Sequence, residues 1–454
     1  MGRMRIVTRG RLAVAACVAA LLGFASAAQA ELVPDGYNPK GLPTAGCFWT
    51  GPFTAANDLT NMAYPGTEIT YWGAKFRTPE GAVLRLRGKY PHARYSSLNA
   101  YESSGGTPTG SIPDRDIRPD RGSVNTSIPG ADRRARKRSW TVRVLGTSAP
   151  AAPARNTLYA APSEDAYQDI LYRVYVPDKG RTLSGGTGLP TPELTLADGT
   201  VLKGQALCAA LNSNHNYVSN PLPRPIYDSL VNWPGKDPAT NPATAKFGFV
   251  KFFNLPLSMA RYKTDAEFKA AWEANPVEQG TLYANNDARY MTGAVSFRYG
   301  KVLVLKGSMP TTPRTFRGER RTRAGQMAEW DMCTIESLAT TKTHRCLFDE
   351  QVPVRGKQRR YTIVVSKAAD RPWNAKARCG VAWLAADPDG DGAGRTDSAL
   401  LLTRNVIPTK GFKHAIQNVT SPFNAAKIMG RYYPRGSYTS KAAFQKQGCK
   451  KTGR

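Results

Sequence analysis

Two widely separated segments of the 454-residue chain carry one pattern. Gly81-Ala82-Val83-Leu84-Arg85-Leu86-Arg87-Gly88 precedes Tyr90-Pro91, and Gly300-Lys301-Val302-Leu303-Val304-Leu305-Lys306-Gly307 precedes Met309-Pro310 at the same spacing. Further pairs follow in the same order. Tyr101-Glu102 matches Ile335-Glu336, and Trp140-Thr141-Val142-Arg143-Val144 matches Tyr361-Thr362-Ile363-Val364-Val365. Arg173-Val174-Tyr175-Val176-Pro177 matches Arg404-Asn405-Val406-Ile407-Pro408, and upstream Asn57-Asp58 matches Asn286-Asp287. Strands can look alike by composition alone, but matches kept in order point to a duplicated unit.

The repeated segments alternate, are rich in β-branched and aromatic residues, and are bounded by Gly, Pro, Asp and Asn, which reads as strand. Leu84, Leu86, Leu303 and Leu305 fall on one face, with Arg85, Arg87, Val304 and Lys306 on the other. A sheet with one apolar face must bury it, so the expected fold is mainly β with α inserts. It consists of two duplicated antiparallel β-sandwich modules, jelly-roll-like in outline. The expected division is a signal peptide at 1–30, an N-terminal extension at 31–56, module one at 57–188, a partly helical insert at 189–284, module two at 285–422 and a helical tail at 423–454. Thr264-Asp265-Ala266-Glu267 is a capping box that opens a helix stopped by Asn275-Pro276. Helices are also expected over 203–211, after Ser421-Pro422 up to Gly430, and over 441–447. Pro221-Leu222-Pro223-Arg224-Pro225 reads as a loop.

Arg3, Arg5, Arg9 and Arg11, an apolar run from Leu12 to Ala25 and the small-x-small triplet Ala28-Gln29-Ala30 read as a secretory signal cleaved after Ala30. The apolar run is too short to span a bilayer, and no later segment is apolar enough for a transmembrane helix. The expected location is therefore secreted, either extracellular or bound at the cell envelope. Cleavage would also remove Cys17 and leave Cys47, Cys208, Cys333, Cys346, Cys379 and Cys449. An even number of cysteines in an exported chain predicts three disulfides, with fifteen possible pairings. Position along the chain favours a local Cys333–Cys346 bridge with long-range Cys47–Cys208 and Cys379–Cys449. No C-x-x-C spacing suggests structural zinc or a thioredoxin motif.

Lysine and arginine number 63 against 34 acids, a net charge of +29 that falls to +25 without the signal. The charge is clustered. Arg133, Arg134, Arg136, Lys137 and Arg138 precede the strand at Trp140, and Arg355, Lys357, Arg359 and Arg360 precede the matching strand at Tyr361. The repeat makes these equivalent loops. A third run, Arg317-Gly318-Glu319-Arg320-Arg321-Thr322-Arg323, lies between them in sequence. Guanidinium groups bind phosphate and carboxylate bidentately, and such a field attracts polyanions. A solvated basic hairpin gives the same pattern. No nucleic-acid motif accompanies the charge, so the expected partner is an anionic envelope polymer or acidic polysaccharide.

Asp387, Asp389 and Asp391 alternate as in the first half of a calcium loop, with Gly392 at the turn position. Arg395 and Ser398 stand where further ligands belong, so calcium is possible here but no cofactor is required. Asp114 and Asp116 alternate with Arg115, Arg118 and Arg121, and Glu102 ends a repeated strand. These carboxylates are the candidates for acid–base hydrolysis; a self-satisfied ion-pair loop is the alternative. His92, His215, His344 and His414 are scattered without metal spacing, and neither a G-x-S-x-G elbow nor a P-loop occurs. Gly185-Gly186-Thr187-Gly188 is a lone Gly-rich turn without the last glycine of the dinucleotide fingerprint G-x-G-x-x-G, since Thr191 stands in that place. Arg94, Tyr95, Asn99, Tyr101, Arg173 and Tyr175 form alternating polar–aromatic faces that suit either a sugar cleft or capped core tyrosines.

The stretches RGKYPHARYSSLNAYE, DRDIRPD and LYRVYVPDKG, and in the second half EWDMCTIES, YTIVVS, RPWNA and LLLTRNVIP, resemble a group of exported, functionally uncharacterised actinobacterial proteins. More distantly they are similar to a β-sandwich domain of unknown function from bacterial envelope proteins. The resemblance covers most of the mature chain, includes the DPDGDGAG loop, implies a β-rich exported protein and transfers no catalytic residue. The expected function is a secreted, envelope-associated binding or structural protein contacting anionic polymer through its basic loops. The alternative is a carbohydrate-active hydrolase or lyase using paired carboxylates.

Overall fold

The computed structural model describes residues 42–102, 106–163, 166–215, 217, 224–231, 245–260, 264–279 and 283–449. The expected signal peptide at 1–30 and the start of the Pro221 loop lie outside them. Among the described residues, the first half holds β1 (Thr44–Ala45), β2 (Trp49–Phe53), β3 (Ile69–Phe76), β4 (Val83–Lys89), β5 (Ala93–Tyr101), β6 (Pro108–Pro113), β7 (Ser139–Leu145), β8 (Thr157–Tyr159), β9 (Gln168–Pro177), β10 (Thr191–Thr195) and β11 (Val201–Leu202). They form two sheets, ordered β1-β2-β3-β9-β5-β6 and β11-β10-β4-β7-β8. The second half holds β12 (Val250–Lys251), β13 (Ala288–Ser296), β14 (Val302–Ser308), β15 (Met327–Ile335), β16 (Thr343–Phe348), β17 (Arg360–Ser366), β18 (Ala382–Ala385), β19 (Ser398–Pro408) and β20 (Arg435–Thr439). Their sheets run β12-β13-β19-β15-β16 and β18-β17-β14-β20.

Each half is a sandwich. Trp72, Leu84, Leu98, Val142 and Ile170 meet between the first two sheets. Met291, Leu303, Trp330, Ile363 and Leu401 meet between the other two. Leu84, Leu86, Leu303 and Leu305 are fully buried, as strand periodicity requires. On the opposite face Arg87 and Lys306 are exposed. Val304 is buried instead, because Phe444 covers it together with Val302 and Val364.

Strand order, sense and register agree between halves. The run β3-β9-β5-β6 corresponds to β13-β19-β15-β16, and β10-β4-β7-β8 to β20-β14-β17-β18. In each second sheet one pair is parallel, β7 with β8 and β17 with β18. Gly88 faces Trp140 as Gly307 faces Tyr361, and each glycine leaves room for that side chain, since a Cβ would lie 2.2 Å from the Trp140 ring or 2.6 Å from Tyr361 Oη. The Val176 N–H donates to Glu68 O and the Ile407 N–H to Asp287 O, both at 2.9 Å. Both residues take positive φ, 49° and 41°, at the ends of the matching strands. The last bond corrects one expected match: the partner of Asp287 in the first half is Glu68, not Asp58.

The segment expected as a helical insert is shared between the sandwiches. β10 pairs with β4, and β12 pairs with β13. α1 (Gly204–Ala210) is tied to the first half by Cys47–Cys208. α2 (Arg224–Val231) contributes Tyr227 and Leu230 to a cluster around Cys333 and Cys346. α3 (Leu255–Ala260) and α4 (Asp265–Ala274) pack on the second core through Leu257 and Trp272. The Thr264 side chain accepts from the Glu267 N–H and Glu267 accepts from the Thr264 N–H, completing the capping box. In the tail, β20 extends the last sheet, between α5 (Ala425–Met429) and α6 (Lys441–Gln445). Three disulfides join Cys47–Cys208, Cys333–Cys346 and Cys379–Cys449. No helix of the described residues is long and apolar enough to cross a membrane.

The sandwiches meet through the outer faces of β3, β9 and β5 and of β13, β19 and β15. Tyr71, Tyr95, Tyr175, Ala288 and Val406 form one buried cluster there. The polar–aromatic face therefore lines a junction and not an open cleft. Asn285 Nδ2 donates to Tyr95 Oη at 2.9 Å, Tyr95 Oη donates to Asp287 at 2.7 Å, and Tyr101 Oη donates to Ala284 O at 2.9 Å. Arg94 crosses the junction to Asp349 at 2.7 Å and to Glu350.

Candidate anion-binding site

The first basic loop divides by burial. Arg133 is buried and donates to Asp178 at 2.5 Å and to Thr315 O, Glu319 O and Ala93 O. Arg138 is buried and donates to Ala135 O, Tyr90 O and Arg133 O. These two guanidiniums hold the loop in shape. Arg134, Arg136 and Lys137 are exposed.

The second loop divides in the same way. Arg355 Nη2 donates to Cys379 O at 2.7 Å. Arg359, at φ 51°, donates to Met309 O and Pro310 O. Both are half-buried, while Lys357 and Arg360 are exposed.

The third basic run connects the two loops. Its backbone pairs with the first loop across the sandwich boundary: Gly130 N–H to Thr322 O at 2.8 Å, Thr322 N–H to Ala131 O at 3.1 Å, and Arg133 N–H to Arg320 O at 3.0 Å. On its other side, Arg317 and Arg323 join Arg314 and Arg359 around a cavity of about 320 Å³, with Asp349 and Glu350 also in its wall. Burial and the neighbouring Arg314 charge pull the Arg359 pKa below the usual guanidinium value. Glu350 is pushed up by burial, against the pull of Arg94. It accepts from Arg94 and from the backbone N–H groups of Phe316 and Arg317. Arg317 lies 3.6 Å from Glu350 and Arg323 3.6 Å from Glu319, so the positive excess of this wall rests on Arg314 and Arg359, and an excess of that sign favours an anion.

The candidate acids differ in burial. Asp114 is buried, where it accepts from Ser96 N–H at 2.8 Å, Ser96 Oγ at 3.2 Å and Ser127 Oγ at 2.8 Å. Burial pushes its carboxyl up to about 6 against those bonds. Asp116 and Glu102 are exposed. None of the three lines the arginine cavity, the 210 Å³ cavity beside Glu278 and Arg289, or the 340 Å³ cavity beside Lys306, Arg355 and Arg360.

The oxygens of Asp387 and Asp391 are engaged within the loop and by His344. Asp387 Oδ1 accepts from the Asp389 N–H at 2.8 Å, and Asp387 Oδ2 lies 3.0 Å from His344 Nδ1. Asp391 Oδ1 accepts from Ala393 and Arg395 N–H, and its other oxygen faces the Arg395 guanidinium at 3.5 Å. Among the described residues no group of three or more His, Cys, Asp or Glu side chains is placed to hold a metal ion.

Sequence reasoning singled out neither Arg314 nor Asp349, and it gave the third run no role. The signal for them was a length difference, since the connection before β17 is much shorter than the one before β7.

No family model matches the chain, and no curated protein is significantly similar to it. Two solved structures are distantly alike. An uncharacterised protein from Burkholderia cenocepacia matches 88% of this chain and 84% of its own at 11% identity and a TM-score of 0.47. A protein from Vibrio parahaemolyticus matches 87% of this chain and 92% of its own at 10% identity and a TM-score of 0.35.

Proposed function

We propose that the protein is exported and binds an anionic envelope polymer or acidic polysaccharide through one continuous cationic surface. Arg134, Arg136 and Lys137 form one end, the third run the middle, and Lys357 and Arg360 the far end. The observation that carries this reading is the middle segment, which pairs by backbone with the first loop and shares a cavity with the second. Binding of this kind needs no cofactor and reads no nucleic-acid sequence. The signal pattern at 1–30 and the three disulfides support an oxidising compartment outside the cytoplasm. The shared strand order and register support descent of both sandwiches from one copied unit.

Chromatography on immobilised polygalacturonate tests the reading. Retention is expected to fall steeply with added salt, because exposed charges are screened beyond about 10 Å at 0.1 M. Replacing Arg134, Arg136, Lys137, Arg320 and Arg321 with Ser lowers retention while the melting temperature stays. Unchanged retention in that variant overturns the proposal.

A further inference from the structure

Asp114 and Asp349 are the same residue in the two sandwiches. Asp114 Oδ2 accepts from the Ser96 N–H on β5, and Asp349 Oδ2 accepts from the Trp330 N–H at 3.4 Å on β15. Ser96 and Trp330 hold equivalent places, since Ser97 and Asp331 face the equivalent Arg173 and Arg404. The surroundings of the two carboxylates then diverge. In module one the chain runs from Ile117 to Arg138 before β7, and this long connection brings Ser127 Oγ onto the Asp114 carboxylate. In module two only Val352 to Arg359 separate the turn Asp349–Gln351, the counterpart of Asp114–Asp116, from β17. On the matching oxygen Arg94 Nη1 donates to Asp349 Oδ2 at 2.7 Å, where Ser127 Oγ donates to Asp114 Oδ2. Asp349 Oδ1 is buried without a hydrogen-bond partner, and Asp349 forms part of the cavity wall beside Arg314, Arg317, Arg323 and Arg359.

A buried acceptor left unpaired costs free energy that a donor can recover. A crowded set of guanidiniums calls for an anion. One ligand answers both demands if it carries a hydroxyl and a negative charge. The cavity of about 320 Å³ lies at the lower end of small-ligand sites, roughly 300 to 1,000 Å³. We propose that this cavity is a subsite for a single anionic sugar unit, phosphorylated or carboxylated, whose charge lies among the four arginines and whose hydroxyl donates to Asp349 Oδ1. The inference rests on the anion-binding reading above and gives it a monomer specificity that the open basic surface lacks.

Titration calorimetry at low salt, with the mature protein and glucose 6-phosphate, glucuronate, inorganic phosphate and glucose, tests it. At least one of the two anionic sugars binds, tighter than inorganic phosphate by about tenfold, as one further hydrogen bond in a desolvated site allows. Which of the two binds identifies the anion. Glucose gives no heat. Arg314→Ser with Arg323→Ser, both exposed positions, weakens the sugar anion by about tenfold or more. Ala324→Trp fills the cavity mouth and abolishes binding without touching the buried Arg94–Asp349 pair. Asp349→Asn, if it folds, weakens the sugar anion and leaves inorganic phosphate unchanged. No binding of either sugar anion, inorganic phosphate as tight as both, or an Ala324→Trp protein that binds like the parent overturns the inference. The Arg134, Arg136, Lys137 triple Ser variant separates the two readings: polymer retention falls and sugar-anion affinity holds. Polymer retention without sugar-anion binding sinks the subsite alone, and the reverse pattern sinks the polymer reading alone.

Discussion

Arg173 and Arg404 hold one register position in two strands. Each lies directly across from a tyrosine, Tyr71 or Tyr290, and on the other side from Ser97 or Asp331. Both are 2% exposed at the junction of the sandwiches. Their charges are met differently. Arg173 donates to Tyr101 Oη and Tyr283 O and lies 4.5 Å from the Tyr71 ring centre. Arg404 is paired with the Asp331 carboxylate and also donates to Tyr64 O.

Removing Arg404 strands a buried carboxylate. Arg404→Met is expected to cost about 3–5 kcal/mol, and adding Asp331→Leu recovers most of it. Arg173→Met breaks hydrogen bonds and a ring contact but no ion pair, at about 1–3 kcal/mol. Urea unfolding of the three variants gives the order; equal losses for the two single variants contradict the ion-pair account.

Asp114 makes stability depend on pH in the direction opposite to a salt-bridged acid. Its folded pKa of about 6 lies above the ordinary carboxylate value. The folded chain therefore holds the proton more tightly than the unfolded one. Stability from this group is present below about pH 4 and is lost as pH rises to about 6, on the order of 2–3 kcal/mol. Asp114→Asn keeps an acceptor and removes the titration. Its melting temperature relative to the parent is expected to rise between pH 4 and 6 and then level off; a flat difference refutes the assignment.

Gly88 exists because the Trp140 ring crosses its Cα. A Cβ there lies 2.2 Å from Trp140 Cζ2. Gly88→Ala should destabilise by about 1–3 kcal/mol through overpacking, and Gly88→Ala with Trp140→Leu should lose less than the sum of the single changes. Additive losses in denaturant titrations rule out the contact as the cause.

The Cys379–Cys449 bridge spans 70 residues and holds α6, with Phe444, over Val302, Val304 and Val364. Replacing both cysteines with Ser should cost about 2–4 kcal/mol. Backbone exchange should quicken first in β20 and the outer residues of β14. Exchange that quickens evenly over both sandwiches shows that the bridge does not act through this patch.

Strand identity, register and the matching order of the two halves were legible because a strand repeats every two residues and each half carried its own turn glycines and prolines. Gly81–Gly88 and Gly300–Gly307 hold matching places in their sheets for that reason. The cysteine pairing followed from position, and the Thr264 cap from a four-residue pattern. The helical tail was misjudged at Arg435–Thr439, whose strand partner β14 lies far away in sequence. Asp58 was matched wrongly because a short Asn-Asp pair carries no register.

By itself the sequence determined two β-rich units, their internal order and a large cationic excess. Only the tertiary structure decided which arginines face water: Arg133 and Arg138 turn inward while Arg134 and Arg136 do not. It also turned the polar–aromatic faces of β5 and β9 into a junction and left Asp349 Oδ1 buried without a hydrogen-bond partner. The reason is range. Alternation and turns are set by neighbours along the chain, whereas burial of a charge depends on which distant surface, or which missing loop, comes to lie over it.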